Sequence, residues 1–445
     1  MQDLRGYAVS GADAASLGLF EKALAQFQGY VIDPVATIDK AIIQSPGFVM
    51  AHLLRAYLVL AGTEAAYLPM ARDGRNAAAA LPTNPRERRH IAAIDALIAG
   101  EYDLASERFE DILLDAPRDA LALQVAHIFD FFRGDARNLR DRVARVLPEW
   151  RPDVPGYHAV LGMYALGLEE CGQYGRAEET GREAIRLNSG DVWAHHAVAH
   201  VMEMQGRIDE GIAWMSARES HWAPDNFFAG HNWWHWALFH LDRDEYARVL
   251  ELYDGPIRGS RSKVVLDMID ASAMLWRLHL RGVDCGARWG ELVEAWAPLA
   301  SDGFYVFNDF HAMMAFVAAE RWDLADETLS AMIRRISSPG SNAAMTRDVG
   351  LPLCRGLYAF GRGEYDETVN WLRPVRAIAS RFGGSHAQRD LIDLTLIEAA
   401  QRDRQNTLVR ALAGERMALK PVSPLNRRYR DGALSISRAM PLNAA

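Results

Sequence analysis

Half of the chain's 14 histidines and half of its 12 tryptophans lie between Trp193 and His240, in the run WAHHAVAHVMEMQGRIDEGIAWMSARESHWAPDNFFAGHNWWHWALFH. Imidazoles carry protons near neutral pH and ligate metals, and indoles offer flat apolar faces, so their concentration in one stretch points to a ligand pocket. Trp193, His196, His200 and Glu203 fall on one face of a helix, where the spacings i, i+4 and i+7 from His196 stack two imidazoles and a carboxylate. Three chemistries fit that stripe. His196 and His200 can act as general base and acid on a bound molecule. A divalent metal held by His196, His200 and Glu203 is the lesser reading, because HExxH is absent and no thiolate assists, so the primary expectation is no cofactor. The third is packing alone, which a face filled with polar and aromatic residues disfavours.

The segment His231-Asn232-Trp233-Trp234-His235-Trp236 supplies an adjacent wall. Helical spacing turns His231, Trp234 and His235 to the side that faces His196 and His200, while Trp233 and Trp236 pack between helices. Further along, Asn308-Asp309-Phe310-His311 opens another helix, and Gly383-Gly384-Ser385-His386-Ala387-Gln388-Arg389-Asp390 opens one more. Ser385 is a ready N-cap, and His386, Arg389, Asp390 and Asp393 share a face. An arginine there either grips a substrate carboxylate bidentately or closes a salt-bridged helix start. The expected catalytic set is therefore His196, His200, His235, Asp309, His386 and Asp390. The expected ligand-binding set is Trp193, Glu203, His231, Trp234, His311 and Arg389. Both require helix starts that are distant in sequence to converge.

The elements that must bring them together form a repeat. A small or polar residue, then usually a bulky one two places on, then usually a small one three further, recurs as Gly100/Tyr102/Ala105, Gly172/Tyr174/Ala177, Gly206/Ile208/Gly211, Asp244/Tyr246/Val249, Glu320/Trp322/Ala325 and Gly363/Tyr365/Thr368. Weaker copies at Gly134/Ala136/Leu139 and Gly282/Asp284/Ala287 fill the gaps, leaving first positions 34 to 43 residues apart. That is the length of one helix–turn–helix unit. The first residue sits in the turn, the bulky one begins the second helix, and the small one allows close helix contact. With no period-2 run of β-branched residues, the fold reads as all-α: degenerate tetratricopeptide-like hairpins coiling into a right-handed superhelical solenoid with a concave inner face. One helical repeat domain is expected over 1–445, irregular over about 1–150, best over 158–250, continuing over 262–420, with a C-terminal tail from 421 to 445.

Composition excludes several partners. Net charge is −9 with no basic block, which argues against nucleic acid. No signal-like start and no long uncharged apolar stretch point to membrane insertion or secretion. Cys171, Cys285 and Cys354 are odd in number and widely spaced, as expected of a protein in the reducing cytoplasm. No nucleophile elbow, phosphate-cradling glycine loop or dinucleotide fingerprint is present.

The segments HHAVAHVMEMQGR, GHNWWHWALFHL, GGSHAQRD and LPTNPRERRHIAA together resemble the tetratricopeptide repeat protein 38 family, over most of the chain. The resemblance implies an all-helical repeat fold and places His196, His200, His231, Trp234, His235, His386, Arg389 and Asp390 in family-like motifs, without a catalytic role for them. From the residues, the favoured function is an intracellular protein whose channel binds a small metabolite through a His/Trp-rich pocket, with His/Asp-dependent acid–base chemistry of hydrolytic, lyase or condensation type. The competing function is a non-catalytic adaptor gripping a peptide or partner protein along the concave face. The lysine-poor stripe favours the small ligand, and a homodimer stays among the readings.

Overall fold

The computed structural model describes residues 1–439. Every regular element among them is helical; two isolated antiparallel bridges, Gln2 with Ala8 and Val31 with Asn226, are the other backbone pairings of note. Consecutive helices pack as antiparallel-type hairpins, giving an all-α helical-repeat solenoid.

The repeat signature marks these hairpins closely. Gly100, Gly134, Gly172, Gly206, Gly282 and Gly363 all adopt positive φ, and so do the non-glycine members Asp244 and Glu320, at 58° and 54°. The turn thus demands a left-handed residue whatever the side chain. The second position begins a helix at Tyr102, Ala136, Tyr174, Ile208, Tyr246, Trp322 and Tyr365. The third is buried at Ala105, Leu139, Ala177, Gly211, Val249, Ala325 and Thr368. The weak copy at Gly282 departs from the pattern, since its second helix starts only at Arg288 and Ala287 is exposed. One copy carries no sequence signal in its first residue: Arg404 takes the left-handed turn, Asn406 starts the helix and Val409 is buried. Within the expected C-terminal tail, 421–445, Pro424–Ala439 is a helix packed on Asn406–Leu419; residues 440–445 lie outside the described residues.

The two helices of a hairpin have different environments. In Tyr174–Leu187 only Ala177, Gly181 and Ala184 are buried, as in a surface helix with one apolar stripe. In Val192–Met204 every residue from Val192 to Glu203 is buried, and Val265–Leu280 and Val306–Ala318 are nearly so. A helix covered on all sides cannot line an open groove. What covers the inner layer is the chain's own far end. Trp276 Nε1 donates to Thr395 Oγ1 at 3.0 Å, Tyr305 Oη to the Phe132 carbonyl at 2.8 Å, and Asn308 Nδ2 to the Thr63 carbonyl at 2.9 Å. Asn226 Nδ2 reaches the Gly29 carbonyl at 2.9 Å. The superhelix closes on itself, and its inner face is filled by contacts between distant hairpins.

Candidate functional site

Asp191 caps Val192–Met204 by accepting from Ala194 N, which fixes the phase that turns His196 and His200 inward. The neighbouring inner helix, Ala229–Asp242, presents His231 and His235 one turn apart on its facing side. Packing of the two helices gathers all four imidazoles. Each offers a nitrogen, and those nitrogens lie within 4.8 Å of one another. Three of the rings are fully buried and His231 is nearly so.

Carboxylates stand behind these rings. His231 Nδ1 lies 2.8 Å from Asp270 Oδ2, His235 Nδ1 3.2 Å from Glu203 Oε2, and His200 Nδ1 3.4 Å from Glu169 Oε2. A carboxylate only accepts, so the short contacts to His231 and His235 put a proton on Nδ1 of each ring and turn Nε2 toward the cluster. Those two Nε2 atoms face each other at 3.2 Å. Neither nitrogen of His196 or His200 has a hydrogen-bond partner of good geometry. Burial, reinforced by the neighbouring imidazoles, pushes His196 and His235 well below the ordinary histidine range. His200 is opposed by the same burial, yet Glu169 draws it upward.

Trp193 and Trp234 are committed to protein contacts. Trp193 stacks on Tyr30 at 5.3 Å and donates to His127 Nε2 at 3.1 Å, with its ring 4.8 Å from that of His196. Trp234 is stacked on His231 at 5.3 Å and has Arg277 over its other surroundings at 5.2 Å. Glu203, expected to bind ligand and in the lesser reading to join His196 and His200 on a metal, stands behind His235 and takes Lys420 Nζ at 3.3 Å on its other oxygen. The helix stagger explains this: Glu203 is a turn past His200, level with His235 rather than with the gap between the rings.

The Gly383–Asp390 segment does converge on this region. Ser385 caps His386–Arg402 in a reciprocal capping box with Gln388. His386 N donates to Glu170 Oε1 at 2.9 Å, His386 Nε2 to the Glu170 carbonyl at 3.0 Å, and Arg389 Nη2 to Glu170 Oε2 at 3.1 Å. Burial is the largest single influence on Glu170 and opposes its ionisation, but Arg389, His386 and His200 together outweigh it and hold the carboxyl below its ordinary range. Asp390 is gripped by Arg416 at 2.7 Å. These groups border a cavity of about 290 Å³ whose wall includes Arg376, His386, Arg389, Asp390, Arg416 and Lys420. Lys420 therefore bridges the cavity and, through Glu203 and His235, the imidazole cluster.

Asp309 and His311 do not join the cluster. His311 is buried beside Phe307, donating Nδ1 to its carbonyl at 2.8 Å, and burial lowers it to about 3. Asp309 faces a separate cavity of about 20 Å³ with Glu64, Trp296 and Asp302. Two residues from His311, about 200° around the helix, it points from the opposite face toward Thr63 and Glu64. Asp309 Oδ2 has no partner, and burial, with Asp302 adding to it, raises the carboxyl from 3.8 to about 7. Below 3.8 folded and unfolded chains are both protonated there, whereas between 3.8 and about 7 only the folded chain keeps the proton. Stability contributed by this group therefore falls as pH rises through that window and stays lower above it. Asp309→Asn is expected to remove the loss, gaining up to about 4 kcal/mol at pH 8 and little at pH 4. Urea melts of both proteins across that pH range check it, and equal pH profiles would refute the assignment.

Sequence reasoning missed Asp270, Glu169, Glu170, Arg376, Arg416 and Lys420. A signal existed for three of them: DMIDASAMLW and LGMYALGLEE carry carboxylates inside otherwise apolar inner helices, where a lone acid needs a partner. The others lie on outer helices or beyond them, and only the ring closure brings them inward.

No helix among the described residues is long and apolar enough to cross a membrane. No family model matches the chain. Among solved structures it is similar to the crystal structure of yeast Tom70, at 13% identity over 91% of this chain and 84% of that one, with a TM-score of 0.34. At that level the likeness carries no argument, and the repeat architecture rests on the hairpins themselves.

Proposed function

We propose that this helical-repeat protein, a member of the tetratricopeptide repeat protein 38 family, binds a small carboxylate- or phosphate-bearing metabolite in the charged cavity at the ring closure. The observation that carries the reading is the wall of that cavity. Arg376, Arg389, Arg416 and Lys420 border a space of about 290 Å³, the lower end of the volume that takes a small ligand. The lining sets these four cations against three carboxylates, Asp390, Asp393 and Glu415, while the partners of Arg389 and Lys420, Glu170 and Glu203, stand outside it, so the wall itself carries one more positive charge than negative. An anionic group entering there meets planar guanidinium donors suited to bidentate recognition.

His386 supplies acid–base capacity at the same wall. Its Nε2 donates to the Glu170 carbonyl, which leaves Nδ1 as the basic nitrogen. Asp390 and Asp393 keep the guanidinium groups of Arg416 and Arg376 in place. A peptide groove is the weaker reading, since the inner helices that would form one are covered by other hairpins.

Isothermal titration with citrate and with inorganic phosphate tests the proposal. Saturable binding is expected, weakened roughly tenfold or more, about 1.4 kcal/mol, by Arg376→Gln or Arg389→Gln. Undiminished binding by both variants, or capture of extended peptides in place of either anion, would sink it.

A further inference from the structure

Beside the charged cavity, and independently of it, the four-imidazole cluster has the form of a metal centre. We propose that His196, His200, His231 and His235 bind one divalent first-row transition-metal ion.

The converging nitrogens come first. Asp270 and Glu203 hold the Nδ1 protons of His231 and His235, which turns the two Nε2 atoms toward each other at 3.2 Å, and all four rings bring a nitrogen within 4.8 Å of the others. One shared proton satisfies a single pair of rings, whereas a metal ion takes a lone pair from each of the four. A tetrahedral ion with metal–nitrogen bonds of about 2.0–2.1 Å sets its ligand nitrogens about 3.3 Å apart, close to the separation seen. Small side-chain rotations bring in His196 and His200, whose rings lie 4.9 and 4.4 Å from that of His235.

The unpartnered nitrogens come second. A buried polar group without a partner costs about 1–3 kcal/mol, and His196 and His200 leave all four ring nitrogens without a well-made hydrogen bond. A purely structural cluster has no return for that cost, whereas ligation satisfies one nitrogen per ring. Carboxylate, imidazole and metal in line is the usual outer arrangement of such centres, because the acid fixes the tautomer and turns the other nitrogen inward. Asp270, Glu203 and Glu169 stand in that position behind His231, His235 and His200.

Charge and donor type narrow the ion. Four neutral imidazoles leave a dication uncompensated, and the carboxylates behind them supply the balance in a buried setting. Glu203 is shared with Lys420, so Asp270 and Glu169 bear most of it. Glu169, Glu170 and His200 also cluster closely enough to share an ion, but Glu170 is already held by Arg389 and His386 N, which leaves the four-nitrogen set. All-imidazole donors select zinc, copper, iron or nickel over magnesium or calcium.

The full-length chain, purified without a histidine tag or chelator, is expected to carry about one equivalent of transition metal by mass spectrometry of its elements. After stripping, cobalt(II) should restore one equivalent and give the intense visible absorption of nitrogen-ligated, low-coordinate cobalt. His200→Ala and His235→Ala should lose the metal. Asp270→Asn should weaken cobalt binding by 10- to 100-fold, as outer partners of this kind do. His240→Ala, on the same helix but paired with Glu245 away from the cluster, should bind as wild type. Should the buried variants fail to fold, His231→Gln at the less enclosed edge, checked for native helicity by circular dichroism, answers the same question. A folded wild type that neither carries metal nor takes up zinc(II) or cobalt(II), or a folded His231→Gln with unchanged cobalt affinity and spectrum, overturns the site. Citrate and phosphate binding at the charged cavity is read separately, so failure of one proposal is distinguishable from failure of the other.

Discussion

Arg142→Ala is expected to be among the most destabilising single substitutions in this protein, at about 3–5 kcal/mol, because it strands a buried carboxylate. Arg142 Nε donates to Asp130 Oδ2 at 2.7 Å, and its Nη2 reaches Ser106 Oγ at 2.6 Å and Asp130 Oδ1 at 3.2 Å. The two side chains are 2% and 1% exposed, so water cannot replace the lost guanidinium. A domain's net stability is only about 5–15 kcal/mol, which makes this a large fraction of the whole. Replacing both partners with apolar residues, as in Arg142→Met with Asp130→Leu, should recover most of the loss, since no charge is then left unpaired. Urea unfolding followed by circular dichroism measures both. A cost below about 1 kcal/mol for Arg142→Ala would mean the pair is solvated in solution. Asp130 lies on Ala120–Phe132, the helix whose His127 accepts from Trp193, so loosening it also loosens the support of His196.

Gly134→Ala is the second large effect. Gly134 has φ of +63°, and a Cβ built on it would sit 1.7 Å from the Ser380 carbonyl oxygen. Backbone stands on both sides of that contact, so no side chain can rotate away. The left-handed conformation alone costs a β-carbon about 1–2 kcal/mol, and forcing the segments apart adds about 1–3 kcal/mol. The expected sum is roughly 3 kcal/mol or more, with the damage concentrated where Gly134 meets Ser380 rather than in the local hairpin. Hydrogen exchange should therefore show faster opening of the His386–Arg402 helix than in Gly172→Ala, whose added Cβ meets nothing within 4 Å. Similar exchange in the two variants would contradict a tight Gly134–Ser380 approach.

The hairpins were legible because their turns impose a backbone requirement that composition must meet. Six of eight recognised turns use glycine, and the aromatic that follows begins a helix in most of them. Asp244 and Glu320 bear the left-handed strain without glycine and were found through the Tyr246 and Trp322 that follow them, whereas Arg404, followed by Asn406, gave no such signal. Within the site, His196, His200, His231 and His235 could be placed on facing sides by helical spacing alone, since both pairs follow an i, i+4 step on adjacent helices. Helical spacing could not show that Glu203 lies level with His235, or that Asp309 faces a separate cavity, because both depend on how neighbouring helices are staggered. Trp193 and Trp234 read as stacking surfaces for a ligand, yet Tyr30, His127, His231 and Arg277 occupy their faces or edges. Asp270 and Lys420 belong to contacts between hairpins far apart in the chain, which local periodicity does not encode.

Ring closure also bears on how the chain reaches its native state. In an open array each unit touches only its neighbours, so folding can start anywhere and ends can fray without loss to the middle. Here Thr63 is tied to Asn308, Phe132 to Tyr305 and Asp244 to Arg428, which gives the topology many partners of high sequence separation. Loop closure must precede the reward from such partners, so refolding should be slow and all-or-none rather than zipper-like. Deleting a single terminal unit would then dissolve the whole fold instead of shortening it.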